Sequence, residues 1–302
     1  MSKRAILIGC NYTSTPSIQL SGCINDIINV RNTLVDAYGY SDSNIYSLRD
    51  DETNRNLLPT KANILNSLKQ IVAMSLKNDM VWVHYSGHGT QIKDTNGDEV
   101  DGFDECIVPC DYNTAGIITD DELFAIFRNA KCSMIICLDS CHSGSGCDLQ
   151  YSIRYNNGTL TKSAIGSSRS IPNTNIIMLS GCRDEQTSAD AYDYSSKRGV
   201  GAFTQVLLET LRSNDHNIAI LPLYIKLCSN LKLYGFTQVP VLSSSAVLPA
   251  FQFARANANG TTVVTSNSTS NLKGKDFPLY DGKLSNSSYT NTLRRRMSDL
   301  FH

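Results

Sequence analysis

The first stretch with chemical meaning lies at residues 134–144, MIICLDSCHSG. An apolar run ends by delivering Cys141, with Asp139 and His142 close by, into a turn of small residues. Cysteine attacks carbonyls as the thiolate, and a nearby imidazole is the usual way to generate one. The sequence holds five histidines, at 84, 88, 142, 216 and 302. His302 ends the sequence, His216 sits in a polar loop, and His142 adjoins the cysteine on an extended chain, where neighbouring side chains point apart. In VWVHYSGHG, residues 81–89, His84 still belongs to a strand and reads as an interior residue. His88 lies between two glycines past the strand end, where the backbone can turn tightly and a substrate can come close. The imidazole at 88 is therefore the acid–base partner expected for Cys141. Each residue alone has a purely structural reading, and a His84/His88 zinc pair competes. That pair needs a helix for its i, i+4 spacing, and Val81, Trp82 and Val83 favour a strand.

The elements that must position this pair follow from periodicity. Strands are expected at residues 5–10, 45–48, 80–85, 133–139, 176–180 and 239–243. Helical spacing runs from residue 25, over 62–76, through 203–213 and over 221–233. Thr119, with Glu122 three residues on, forms a capping-box signature for a helix within 117–130. Strands alternating with helices predict an α/β fold with a central, mostly parallel sheet flanked by helices on both faces. Such sheets bind ligands at the carboxyl ends of their strands, and both His88 and Cys141 follow strand ends. Residues 150–173 are polar and rich in Gly, Ser and Asn and read as a flexible loop, and residues 254–302 as a disordered tail. The division expected is a large catalytic region over 1–149, a linker over 150–173 and a smaller region of the same domain over 174–253.

Composition narrows the function. With 27 basic and 28 acidic residues the net charge is −1, which lacks the basic excess of a nucleic-acid binder. No apolar stretch is long enough to span a bilayer, and the first residues do not make a signal peptide, so no membrane partner and a cytoplasmic location are expected. The ten cysteines read as free thiols rather than a disulfide framework. Cys106 and Cys110 lack the second pair that a zinc finger requires. Residues 94–105 approach an EF-hand loop, but Glu99 stands where glycine is needed.

Taken together, LSGCIND (20–26), HYSGHGTQ (84–91), DEVDGFDECIVPCD (98–111), ITDDEL (118–123), LDSCHSG (138–144) and SGCRDEQTSAD (180–190) resemble the metacaspases, caspase-like cysteine peptidases. His88 also stands about 50 residues upstream of Cys141, the caspase-type separation, although the caspase Gln-Ala-Cys-x-Gly signature is absent. The resemblance implies a caspase-like fold and a Cys141–His88 dyad that cleaves after Arg or Lys. It implies an oxyanion hole from the N–H groups of Gly89 and Cys141, and a basic-residue pocket formed by Asp26, Asp139 and Ser86 with Cys23 on its wall. It further implies activation by calcium held by Asp104, Asp120, Asp121 and Asp148, and self-cleavage in the linker at Arg154, Lys162 or Arg169. A monomer acting on protein or peptide substrates, of the type I kind without an N-terminal prodomain, is expected. The rival readings are a non-catalytic caspase-like scaffold and a paracaspase.

Overall fold

The computed structural model describes residues 1–94, 102–140, 147, 149–156, 158–164, 171–173, 175–181, 201–236, 238–247 and 249–256. Its elements run β1 (Lys3–Gly9), α1 (Cys23–Asp36), β2 (Ile45–Arg49), α2 (Lys61–Met74), β3 (Met80–Ser86), β4 (Gly89–Lys93), β5 (Phe103–Ile107) and α3 (Tyr112–Ala115). They continue with β6 (Ile118–Thr119), α4 (Asp120–Phe127), β7 (Ser133–Asp139), β8 (Tyr151–Asn156), β9 (Thr159–Ala164) and β10 (Ile176–Ser180). The remainder are α5 (Ala202–Arg212), β11 (Ile218–Ala219), α6 (Ile220–Leu233), β12 (Val241–Ser244) and β13 (Gln252–Phe253).

Among the described residues the central sheet has eight strands in the order β2-β1-β3-β7-β10-β12-β8-β9. The first five are mutually parallel, and β12, β8 and β9 add on antiparallel. Strand residues alternate strictly between two cores. Ala5, Leu7, Trp82, Ile135, Cys137 and Leu179 face α1, α5 and α6. Ile6, Ile8, Val81, Val83, Ile136 and Met178 face α2 and α4. This is the pattern of a sheet covered on both faces, where continuous apolar runs replace polar–apolar alternation. The α4 capping box forms as expected: Thr119 accepts from the Glu122 N–H and Glu122 accepts from the Thr119 N–H.

Two stretches depart from the sequence reading. Residues 150–173, expected as a flexible linker, contain the β8–β9 hairpin, and β8 pairs with β12 at the sheet margin. The physical reason is legible afterwards. Tyr151, Ile153 and Tyr155 alternate with polar residues, and Asn157-Gly158 is a strong hairpin dipeptide. Ile153 is buried and the Tyr155 N–H donates to the Tyr224 hydroxyl on α6, so the hairpin is anchored to the core. The second departure is the small antiparallel sheet β4-β5-β6, whose strands lie where the near-EF-hand segment was found. Strands flank that segment instead of helices, in keeping with its rejection as an EF-hand. Of the expected 254–302 tail, residues 257–302 lie outside the described residues. No described helix is long and apolar enough to cross a membrane.

Candidate functional site

β3 and β7 are parallel neighbours at the middle of the sheet, paired up to Ser86↔Asp139. His88 follows the end of β3 by two residues, and the chain reaches position 141 two residues beyond Asp139. Cys141, Asp148 and Arg169 lie outside the described residues. Of the proposed dyad, the structure therefore describes the histidine.

The His88 ring is partly buried, and its Nε2 lies 2.8 Å from the Ile18 carbonyl oxygen. A carbonyl accepts, so Nε2 carries the hydrogen and a neutral ring presents an unprotonated Nδ1. Burial holds the imidazole below its ordinary pKa, and the bond to Ile18 opposes that in part. Neutral imidazole is thus the resting form near pH 7.

The backbone of His88 is fixed by two tyrosines. Its N–H donates to the Tyr12 hydroxyl at 2.9 Å, and that hydroxyl donates to the Val108 carbonyl at 2.7 Å. The Tyr85 hydroxyl donates to the His88 carbonyl at 2.7 Å. Val108 N–H also reaches the His88 carbonyl, at 3.1 Å. Positions 88 and 108 are thus a hydrogen-bonded antiparallel pair in which the Tyr12 hydroxyl replaces one of the two direct bonds. The next pair, Gly89↔Ile107, is then the non-bonded kind, which turns the Gly89 N–H away from β5. Gly87 makes room for this arrangement, since a Cβ there would stand 2.5 Å from the Tyr85 hydroxyl and 3.0 Å from that of Tyr12.

Tyr12 itself is held in the left-handed backbone region, at φ 53°. A bulky residue there is strained, and such strain persists where the surroundings fix it. Here Asp50 accepts from the Asn11 N–H at 2.9 Å and the Thr13 N–H at 3.3 Å, bracketing the tyrosine. The Tyr12 ring lies against the His88 ring with centroids 4.8 Å apart.

On the other face of the same strand ends lie the acids. Asp26 sits in the first turn of α1 and is 1% exposed, and Asp139 ends β7 and is 1% exposed. Ser86 Oγ donates to Asp26 Oδ2 at 2.7 Å. Asp139 Oδ2 accepts from both the N–H and the hydroxyl of Thr204, at 2.9 and 2.6 Å. Thr204 Oγ1 in turn lies 3.1 Å from His84 Nε2. The Thr204 hydrogen is committed to Asp139, so His84 Nε2 donates. Asp139 Oδ1 and His84 Nδ1 are buried with no hydrogen-bond partner among the described residues. Burial keeps His84 neutral, holding its pKa down to about 3.

Burial first, then the charge of Asp139, drives the Asp26 carboxyl well above the carboxylate range. Burial raises Asp139 too, and the bonds from Thr204 oppose that. Cys23 is buried beside them, its thiol pushed well up chiefly by burial and then by Asp26. The resemblance implied that Asp26, Asp139, Ser86 and Cys23 share one place, and in the structure these four side chains lie together. The sequence reading missed Thr204 and Gly201. Thr204 carried no signal in sequence, because a threonine early in a helix reads as a cap.

The expected calcium acids are less complete. The β5–β6 ladder pairs Cys106 with Thr119 and Ile107 with Ile118, and Asp120 and Asp121 follow as the first residues of α4. Asp120 spends its oxygens on the Glu105 and Asp121 N–H groups, at 2.9 and 2.8 Å. Among the described residues, no three acidic, thiol or imidazole groups converge as a metal site.

A family model described as "Metacaspase, peptidase C14 domain" matches residues 3–150. Metacaspase-1B of Aspergillus terreus is 34% identical over 292 aligned positions, covering 80% of this chain and 75% of that protein. This chain belongs to the metacaspase family. Metacaspase-1 of Cryptococcus neoformans is 33% identical over 80% of this chain and 62% of its own length. The chain thus spans a little under two thirds of that metacaspase. Among solved structures, a Geobacter sulfurreducens protein aligns over 82% of this chain and 95% of its own, at TM-score 0.55 and 21% identity. Caspase-1 from Spodoptera frugiperda aligns over 81% and 88%, at TM-score 0.50 and 16% identity. At these identities both bear on the fold, which is caspase-like α/β.

Proposed function

We propose that this metacaspase is a cysteine endopeptidase that cleaves after Arg or Lys through Cys141 and His88. One observation carries the specificity. Two buried carboxyls meet at the end of β3 and β7, one oxygen of Asp139 has no partner, and neither acid has an ion pair among the described residues. A cationic side chain satisfies both demands, and a guanidinium does so with several donors at once. An aspartate there would bring another carboxylate against the pair instead of a cation.

In the reaction, the Cys141 thiol loses its proton to His88 Nδ1 and the sulfur bonds to the scissile carbonyl carbon. The N–H groups of Gly89 and Cys141 hold the resulting oxyanion, each worth about 3 kcal/mol. The imidazolium gives its proton to the departing amine as the C–N bond breaks. Water then attacks the thioester, handing a proton to the imidazole, and the thiol leaves. The Ile18 carbonyl supports this cycle, since it keeps Nε2 protonated and stabilises the imidazolium.

Calcium enters as an activator held by Asp104, Asp120, Asp121 and Asp148. Asp120 and Asp121 open α4 and Asp104 lies on β5, but the described residues do not close a ligand set by themselves, so no step runs through a metal. Self-cleavage is proposed at Lys162, which is exposed on the edge strand β9, ahead of the half-buried Arg154 on β8. Arg169 is a third candidate. The edge of β12 is covered by β8 of the same chain, which favours a monomer. The free thiols among the described cysteines favour a reducing, cytoplasmic setting.

The test is hydrolysis of fluorogenic peptides ending in Arg, Lys or Asp, with and without calcium, by the chain and by Cys141→Ala. Turnover after Arg and Lys, raised by calcium and abolished by the substitution, is expected. Equal turnover after Asp would overturn the specificity.

A further inference from the structure

The acid site has a further contributor, the start of α5, more than sixty positions beyond Asp139 in sequence. Helix α5 begins at Gly201, whose φ is 86° and whose missing side chain is filled by Asp26: a Cβ there would stand 2.9 Å from Asp26 Oδ2. Three residues on, Thr204 occupies the third helical position, where the N–H has no partner inside the helix. That N–H and the Thr204 hydroxyl both go to Asp139 Oδ2. The two carboxyls are therefore treated unequally. Asp139 receives both Thr204 donors, the backbone N–H of Gly201 and the positive end of an eleven-residue helix. Asp26 receives one hydroxyl, from Ser86.

Nothing else described near the pair supplies positive charge. On α1, Cys23 is a neutral thiol. On β3, His84 is a neutral ring and Ser86 a hydroxyl. On β7, Cys137 is a buried thiol raised by burial and by Asp139. Two buried carboxylates side by side without a cation among the described residues repel each other, and one of them holds its proton. Hydrogen bonds to the charged form decide which. Both acids are raised, Asp26 the further.

We propose that Thr204 is a specificity-determining positioning residue that holds Asp139 as the single anion of the empty pocket, leaving on Asp26 a proton that is expelled when a cationic side chain enters. This rests on the reading of the pocket as the Arg/Lys site and adds its charge state. The entering guanidinium supplies the missing cation. Asp26 then ionises, its proton passes to solvent, and the pocket ends with two carboxylates around one cation. Affinity for a basic side chain accordingly rises with pH, by up to tenfold per unit while Asp26 is protonated in the free pocket.

The probe is butylguanidinium, binding to the full chain by calorimetry in buffers of different ionisation enthalpy, from pH 5.5 to 8.5. Release of close to one proton per ligand near neutrality is expected for the wild type, and none for Asp26→Asn. Thr204→Val removes the hydroxyl while keeping the shape and the N–H. It is expected to weaken binding about 3- to 10-fold at pH 7 and to move the pH midpoint upward, with Thr204→Ser restoring both. Binding without proton release at any pH overturns the proposal while the Arg/Lys reading survives. An unmoved midpoint in Thr204→Val, or a Thr204→Ser variant no better than valine, overturns the role of Thr204. No binding at any pH overturns both readings together.

Discussion

The two sides of the β3–β7 strand ends handle buried polar groups in opposite ways. On the histidine side both backbone groups of His88 are taken up, by Tyr12, Tyr85 and Val108, and the ring nitrogen Nε2 by Ile18. On the acid side Asp139 Oδ1 and His84 Nδ1 lack described partners, and two buried carboxyls lie together without a described cation. Buried polar groups are nearly always bonded, because each orphan costs about 1–3 kcal/mol. Saturation therefore marks a part that must not move, and deficit marks a part that awaits a ligand. The histidine must hold one tautomer and one position whatever the substrate. The acids must leave donors and charge to be supplied by it.

The largest effect tests the deficit. Asp139→Asn keeps the shape and the acceptor but removes the charge that faces the guanidinium. Losing one partner of a buried charge pair costs about 3–5 kcal/mol, so kcat/KM for an Arg substrate should fall roughly 10²- to 10⁴-fold. A loss below tenfold, measured by steady-state kinetics, would mean that the orphan oxygen is not where the substrate binds.

The next tests the saturation. Tyr12→Phe strands the His88 N–H, while the Val108 carbonyl keeps the Tyr85 hydroxyl at 3.0 Å. One orphaned group costs about 1–3 kcal/mol, which lowers Tm by several degrees in a domain of this size. The loosened imidazole should lower kcat about tenfold while KM stays near the wild-type value. A change in KM with kcat intact would place Tyr12 with the substrate rather than behind the histidine.

How far this division was legible in the sequence differs by side. The acids were reached through the resemblance alone, because Asp26, Ser86 and Asp139 lie in the LSGCIND, HYSGHGTQ and LDSCHSG motifs; no periodicity marks them as a set. The central strands were readable from their pattern: Val81, Trp82 and Val83 are apolar on both faces. Tyr12 was not, because its role depends on a left-handed turn held by Asp50, nearly forty residues away. Thr204 was not, because its partner lies 65 residues upstream. The β8–β9 hairpin was in principle readable from Asn157-Gly158 and the alternation before it. The polar content of the surrounding stretch outweighed that signal.

Titration should separate the two sides. The kcat profile follows His88, whose pKa burial lowers, so its acid limb is expected below the ordinary imidazole value near 6.5. The KM profile follows the carboxyl pair, which burial raises, so KM should keep falling as pH rises past the normal carboxylate range. A single shared limb in kcat and KM would erase the distinction.

The smallest effect concerns stability without substrate. Asp26 has a folded pKa raised above its unfolded value near 3.9, so the folded state binds the proton more tightly than the unfolded chain. Its contribution is fully present below pH ~4 and is lost as pH rises through the raised folded value. Asp26→Asn carries no charge at either end and removes that slope. The variant should therefore gain on the wild type as pH rises, by up to about 1.4 kcal/mol, or roughly 2–4 °C in Tm, for each pH unit over which Asp26 is protonated in the folded chain and ionised in the unfolded one. Butylguanidinium should narrow the difference by stabilising the wild type, since it supplies the cation that the ionised pair lacks. If the two proteins instead melt in parallel across this range, Asp26 is ionised in the folded chain throughout, and the acid side is less starved of charge than its hydrogen bonds indicate.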